Sequence, residues 1–301
     1  MNYRATRMTQ AVTTINGCVL SISGRVLRIA TVRDEPYDCI KDPVSLIDTL
    51  RKHHPRVDIF SFMQEINDTT PRHAFHMEVT SLAVLPISSF ENWWSRQVND
   101  KTRNLVRKSQ KSKVDVKVVP LDDELVRGIK DVYDESSVRQ GKAFKHFQKP
   151  LDILKMELCT FQDRSTFIGA YLQGSLIGFA KLVQGNEVSS LMHIISKLSE
   201  RNKAPTNALI AKAVEICAER GIAYLHYGVW STGGLGMFKE NHAFQKRDIP
   251  RYFVPVSAKG RLALKMGMHR PLKDRLPERL RQRIVAIRNR LRSGRTGTTK
   301  S

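Results

Sequence analysis

Apolar positions along this chain fall into two rhythms. Short runs rich in Val, Ile, Leu and Phe, bounded by Gly, Pro or Asn, predict strands. Longer stretches with apolar residues three and four apart predict amphipathic helices. The run CVLSISGRVLRIATV predicts a hairpin around Ser23-Gly24, and VDIFSFMQEI and HMEVTSLAVLP predict two more strands. Between them, DPVSLIDTLRKHH predicts a helix with Asp42 as N-cap, Pro43 at the first helical position and basic residues in the last turn. This first α/β unit ends near Pro86.

The next segment, FENWWSRQVNDKTRNLVRKSQKSK, predicts one long basic helix with Trp93, Trp94, Val98, Leu105 and Val106 on its apolar side. VDVKVVP predicts a strand, and LDDELVRGIKDVYDESSVRQG a helix closed by Gly141. PLDILKMELCTFQ predicts another helix. STFIGAYLQGSLIGFAKLVQGNEVSSLMHIIS contains three β runs separated by Gln173-Gly174 and Gly185-Asn186, the residue types of tight hairpin turns, and so predicts an antiparallel meander. After the polar loop KLSERNKAPT comes a helix, NALIAKAVEICAERG, with Leu209, Ile210, Ala213, Val214 and Cys217 on one face and Gly221 at its end. IAYLHYGVW predicts a buried strand, GGLGMFKENHAF a glycine loop entering a short helix, and IPRYFVPV a last strand. The expected class is α/β (α+β), a mixed, mostly antiparallel sheet flanked by helices. The strand Ile222 to Trp230 follows a helical crossover and is expected to lie parallel to its predecessor.

Composition narrows the function. The 301 residues suffice for two domains, and their apolar and charged fractions are those of a globular protein. The N-terminal segment lacks the apolar run of a signal peptide. The best membrane-span candidate, Phe167 to Val183, is interrupted by Gln173-Gly174 and carries Lys181. Cys18, Cys39, Cys159 and Cys217 never form a CxxC pair, which fits reduced thiols in a cytoplasmic protein without a zinc site. His73 and His76 alone are too weak a pair to suggest a metal. The formal charge of +21 is concentrated. Residues Ser257 to Ser301 carry 14 Lys/Arg against 2 Asp/Glu, and Arg96 to Lys117 carry 8 against 2, so these two stretches hold 18 of the 21. Localised positive charge implies a polyanionic partner: nucleic acid, a phosphate-bearing acceptor, or an anionic membrane surface, with the protein peripheral to the inner face of the membrane in the last case.

The segments WWSRQVNDKTRNLVRKSQK, LIGFAKLV, APTNALIAKAVEICAERG, YGVW and MFKENHAF, in that order, resemble the GNAT acyltransferase fold, and most closely its branch of Fem-type aminoacyltransferases. The resemblance covers roughly Ile87 to Pro255. It implies a tandem arrangement with a reduced N-terminal copy: an N-terminal α/β unit over 1–86, a GNAT-like acyltransferase domain over 87–256, and a basic helical extension over 257–301. It also implies transfer of an acyl or aminoacyl group, from acyl-CoA such as acetyl-CoA or from aminoacyl-tRNA, to an amine or hydroxyl acceptor; the cysteine and histidine spacing, separately, suggests no metal. A cell-envelope or polysaccharide precursor is the acceptor class that the same resemblance implies. One departure bears on the donor. Where GNAT acetyltransferases carry small residues whose backbone N–H groups cradle a pyrophosphate, this chain reads Arg201-Asn202-Lys203-Ala204-Pro205-Thr206, and Pro205 has no N–H.

Acyl transfer needs proximity, a proton acceptor and stabilisation of an oxyanion. Lys239 is the candidate cation for the oxyanion, against the plain reading of a solvated helix lysine. His193, inside the third meander strand, is the candidate proton acceptor or a core histidine. Tyr227 positions the leaving group or packs in the sheet. Arg201, Lys203, Thr206 and Asn207 are candidates for the donor phosphate, and Arg103, Arg107, Lys108, Phe238 and Gly234 for substrate binding. The glycines Gly233, Gly234 and Gly236 admit a ligand or simply make a turn. LPERLRQRIVAIRNRLR predicts a basic amphipathic helix, to be docked on its own domain, on RNA or on an anionic membrane. The competing function is a non-catalytic basic module of the same fold that binds RNA or an anionic membrane surface.

Overall fold

A computed structural model describes residues 11–270, apart from 34, 36–39, 41, 54, 55 and 186. The C-terminal amphipathic segment and Cys39 lie outside the described residues. Tight turns set the frame. Asn16-Gly17 and Gln173-Gly174 each place two consecutive residues at positive φ (49° and 76°; 49° and 80°). That conformation matches the twist of an antiparallel pair. The first turn joins β1 (Ala11–Ile15) to β2 (Cys18–Ser23), and β3 (Ile29–Val32) completes a small meander. Helix α1 (Pro43–His53) opens with the Asp42 carboxylate accepting from Ser45 N at 3.0 Å and leads to β4 (Ile59–Met63), parallel to β3. Strand β5 (His76–Pro86) follows.

The second half repeats this order at larger scale. Strands β9 (Ser165–Leu172), β10 (Ser175–Gln184) and β11 (Val188–Ser196) form the antiparallel meander. Helix α6 (Pro205–Glu219) crosses over, and β12 (Tyr224–Val229) returns parallel to β11. Helix α7 (Gly234–Asn241) and β13 (Gln245–Pro255) follow, then α8 (Ala258–Lys265). Leu209, Ile210, Ala213, Val214 and Cys217, the face expected from the helical period, are all fully buried on α6. Each Leu or Ile buried there stabilises by roughly 1.5–3 kcal/mol, so Leu209→Ala would remove one of the larger anchors.

One sheet runs through both halves in the order β1-β2-β3-β4-β13-β5-β12-β11-β10-β9-β6, with β6 spanning Asp115–Val119. Among the described residues only β3–β4 and β11–β12 pair in parallel. The halves exchange strands at the centre: β5 pairs with β12 of the second half, and β13 pairs with β4 of the first. Helix α6 packs on one face with α2 (Phe90–Asn92) and α3 (Asp100–Lys111). Helices α4 (Asp123–Asp134) and α5 (Leu151–Leu158) cover the other, around Phe167, Leu176 and Phe179. Among the described residues no helix is long and apolar enough to cross a membrane.

Two expectations need correction. The long basic helix is broken. A π-helical turn over Trp93–Gln97 is followed by extended backbone at Val98 and Asn99, and a new helix starts at Asp100 under the Asn99 side chain, which accepts from Thr102 N at 2.8 Å. Burial of Trp93, whose indole N–H donates to His242 O at 3.1 Å, requires that break. Gly141 does not close a helix either: α4 stops at Asp134. Gln140 and Gly141, both at positive φ, turn the two-residue strands β7 (Val138–Arg139) and β8 (Lys142–Ala143). The chain is redirected because the Arg139 guanidinium donates to Val132 O and Ser196 O at 2.8 and 2.7 Å.

Candidate active site

Strands β11 and β12 pair over three residues only, Val188–Tyr224, Ser189–Leu225 and Ser190–His226. Beyond that point β11 continues along β10 to Ser196, while β12 leans to β5. The register of β12 against β5 shifts between His226 and Val229, where Gly228 has φ 65°. A side chain is strained at that φ, so glycine permits the departure. The result is a fork that opens through the sheet.

Lys239 lies at this fork. Helix α7 carries it back over β12, and the residue is only 3% exposed. Its Nζ donates to Val229 O at 2.8 Å, meets Ser231 Oγ at 3.5 Å, and stands 4.8 Å from the centre of the Tyr227 ring. An ammonium has three N–H groups. Among the described residues no hydrogen-bond acceptor takes the third, and the Tyr227 ring is the remaining protein group beside the ammonium. Burial pushes the Lys239 ammonium down to about 8, which leaves it largely charged at neutral pH. The path of α7 depends on Gly236: a Cβ there would stand 2.2 Å from Ser231 O, an impossible approach to backbone. At Gly234, by contrast, an added Cβ would meet nothing within 4 Å.

His193 sits on β11 beyond the last residue paired to β12, on the face covered by α4 and α5. Its ring stacks 6.4 Å from Phe179 and meets His146 edge-on at 6.0 Å. Burial, then the Lys181 and Lys145 ammonium groups, push its pKa down to about 4, so the imidazole is neutral at pH 7. His146 is likewise driven to about 3 by burial and by Lys149 and Lys145. Tyr227 faces the opposite side, against Phe244 at 5.5 Å, and burial raises its phenol to about 12. Lys239 and Tyr227 therefore share one face of the fork and His193 lies on the other.

The predicted phosphate residues divide. Arg201–Lys203 form a 3-10 turn ahead of α6, with Arg201 exposed and Lys203 paired to Glu200. Thr206 Oγ1 bonds Ser196 Oγ at 2.8 Å, tying the start of α6 to the end of β11. Asn207 turns inward, its amide 3.1 Å from His242 Nε2, and is a brace between α6 and α7. Ala204 holds φ 54°, and its carbonyl accepts from Asn207 N and Ala208 N. With Pro205 lacking an N–H, little of the usual anion-binding capacity of a helix start remains.

The basic residues divide in the same way. Arg103 donates to Trp94 O and Val98 O, both at 2.8 Å, and pairs with Asp100, so it braces the broken helix. Arg107, Lys108 and Lys111 are exposed on α3. Helix α3 packs against α6 and against the 201–203 turn, which puts these cations and Arg201 on one flank. Phe238 is half-buried, 4.3 Å from the His242 ring.

The sequence reading missed several buried polar groups. His226 is 4% exposed at the root of the fork, with Nδ1 3.2 Å from Ser190 Oγ, and burial and Lys239 hold its pKa near 4. Lys181, fully buried, donates to Leu158 O at 2.8 Å and to Thr160 O, closing the end of α5. These partners are far apart in sequence, and no spacing signals them.

No protein-family model and no curated protein matches the chain. Solved structures do. FemX superposes with a TM-score of 0.58 at 10% identity, over 82% of this chain and 86% of that one. The C-terminal domain of a protein assigned as a lysylphosphatidylglycerol synthetase, from Agrobacterium fabrum, gives 0.57 at 14% over 85% and 87%. L-PGS from Bacillus licheniformis gives 0.56 at 13% over 86% of each chain. The fold is the one shared by FemX and these two proteins. At these identities the likeness is one of fold, and it agrees with the resemblance carried by the sequence motifs.

Proposed function

We propose that the protein transfers an aminoacyl group from aminoacyl-tRNA to an amine or hydroxyl acceptor, at the fork between β11 and β12. The observation that carries this reading is the buried Lys239 ammonium beside the parted strands, with one N–H unclaimed. A donor carbonyl seated in the fork receives that N–H. The acceptor enters the open end of the fork beside His193, and its nucleophilic N or O forms the new bond to the carbonyl carbon. Its proton passes to the neutral His193 imidazole. The negative charge that develops on the carbonyl oxygen faces Lys239, in a site where water is largely excluded. Collapse breaks the C–O bond to the tRNA ribose, which leaves with the proton from His193. No covalent enzyme intermediate is needed.

The start of α6 favours tRNA over an acyl-CoA, because it offers little to a pyrophosphate. The exposed cations Arg107, Lys108, Lys111 and Arg201 suit a phosphodiester backbone instead. FemX, the C-terminal domain of the protein assigned as a lysylphosphatidylglycerol synthetase, and L-PGS share the fold, and that likeness supports a transferase reading. The test is transfer from labelled aminoacyl-tRNA and labelled acyl-CoA, side by side, to amine and hydroxyl acceptors. Transfer from the tRNA ester that is lost in Lys239→Met supports the proposal. Salt-sensitive RNA binding without any transfer would support the non-catalytic module instead.

A further inference from the structure

Far from the fork, at the opening end of β5, His76 and Glu78 stand two residues apart and so on one face of the strand. His269, beyond the end of α8, folds over them. Its Nε2 is 2.7 Å from Glu78 Oε1, and His76 Nε2 is 3.6 Å from the same oxygen. One ligand atom from each residue can be chosen so that all three lie within 4.8 Å of one another. The His269 side chain is 1% exposed and is held against Phe253, ring to ring at 4.7 Å. Its Nδ1 is buried without a partner, so Nε2 is the ring atom that meets other polar groups. His76 is 40% exposed, which leaves the cluster open to solvent on one side.

We propose that His76, Glu78 and His269 form a binding site for a divalent transition ion of the zinc class. Bonds of 2.0–2.2 Å at tetrahedral angles put neighbouring ligand atoms about 3.3–3.6 Å apart; the His76–Glu78 distance of 3.6 Å fits, and the His269–Glu78 distance of 2.7 Å must lengthen as the hydrogen bond gives way to the ion. Two imidazoles and one carboxylate suit Zn²⁺, Co²⁺ or Ni²⁺ and disfavour the oxygen-seeking Mg²⁺ and Ca²⁺. The ion takes the place of the hydrogen between His269 Nε2 and Glu78, the neutral imidazole then carries its single N–H on Nδ1, and a water completes the coordination on the His76 side.

Arg270 is the competitor. Its Nε lies 2.6 Å from Glu78 Oε1, and metal entry requires the half-exposed guanidinium to move off that oxygen. Arg251, the cross-strand neighbour of Glu78, is already matched by Glu35 at 2.7 Å. The site is therefore weaker than the same three ligands without Arg270. Its consequence is mechanical: the ion joins the segment after α8 to the first residues of β5, about 190 positions earlier in the chain.

The test uses the full-length chain without an affinity tag, stripped of metal by a chelator. Co²⁺ is titrated with its visible absorption as readout, then displaced by Zn²⁺. The expected result is one saturable equivalent, a rise in unfolding temperature on loading, and no competition from Mg²⁺. His76→Ala removes a partly exposed side chain without opening the core, and Glu78→Gln keeps the shape of the carboxylate. Outer partners of metal ligands are themselves worth 10–100-fold in affinity, so losing a ligand is expected to weaken Co²⁺ binding at least about tenfold in either variant. Absence of a saturable equivalent in the natural chain, or binding unchanged in both variants, overturns the proposal.

Discussion

Lys239→Met separates a lysine kept for chemistry from one kept for the fold. Met fills a similar volume and carries no charge. In the folded chain burial lowers the Lys239 pKa from 10.5 to about 8. At 1.36 kcal/mol for each pH unit, this is about 3 kcal/mol of unfavourable charge burial, and at 3% exposure little of it is screened. Between pH 8 and 10.5 the unfolded lysine holds a proton that the folded one has released, so stability must rise with pH across that window. Below pH 8 the full cost is present. Methionine removes that cost but leaves Val229 O without its donor, which costs about 1–3 kcal/mol. The two nearly cancel, and the variant should match the natural protein at pH 7 to within about 2 kcal/mol.

The assay is urea unfolding of both proteins at pH 7 and pH 10. The natural protein should gain about 2.5 kcal/mol over the variant between those values, since pH 10 covers only the stretch from 8 to 10 of that window. Other titrating groups, including Lys181, which burial also holds near 8, contribute to both proteins and drop out of the difference. Transfer by the variant at pH 7 should fall about 10²–10³-fold, the usual cost of losing one oxyanion donor. A variant that loses more than about 4 kcal/mol at pH 7 would show Lys239 to be part of the structural core. Undiminished transfer would remove it from the mechanism.

Gly236→Ala should destabilise by about 1–3 kcal/mol and reduce transfer, because the new Cβ must displace Ser231 or α7. Gly234→Ala, with open space around it, should leave unfolding unchanged or slightly improved; equal losses in the two would refute the close-approach argument. The pH profile of kcat/KM should be flat between about 4, where His193 protonates, and about 8, where Lys239 loses its proton. An alkaline limb near 8 that survives unchanged in the residual activity of Lys239→Met would assign that limb to another group. Replacing Arg107, Lys108 and Lys111 by Ala should weaken tRNA binding uniformly across sequences and reduce its salt slope by about one for each phosphate no longer neutralised. An unchanged slope would place the nucleic acid elsewhere.

Legibility followed the range of each interaction. The turn at Gln173-Gly174, the Asp42 cap and the buried face of α6 were all readable, because each is decided by residues within one or two turns of chain. The parallel return of β12 followed from the helical crossover before it. The break at Val98 and Asn99 was not readable. The apolar spacing of Trp93, Trp94, Val98 and Val106 suits a straight helix, and only the seat of Trp93 against His242 decides otherwise. Asn207 shows the same limit at the site: its position at a helix start suggests a phosphate ligand, and His242, 35 residues later, turns it inward.

By itself the sequence determined the local alphabet of this protein: turns that require positive φ, the two hydrophobic periods, the helical crossovers and the concentration of positive charge. The tertiary structure alone decided that β5 and β13 exchange between halves, that β11 and β12 part after three residues, and that His269 reaches His76. Strand pairing and side-chain burial depend on which distant segments close upon one another, and that is a property of the whole chain's packing. Lys239 has the same side chain in any sequence; its lowered pKa and its unclaimed N–H come from the strands and helix that enclose it.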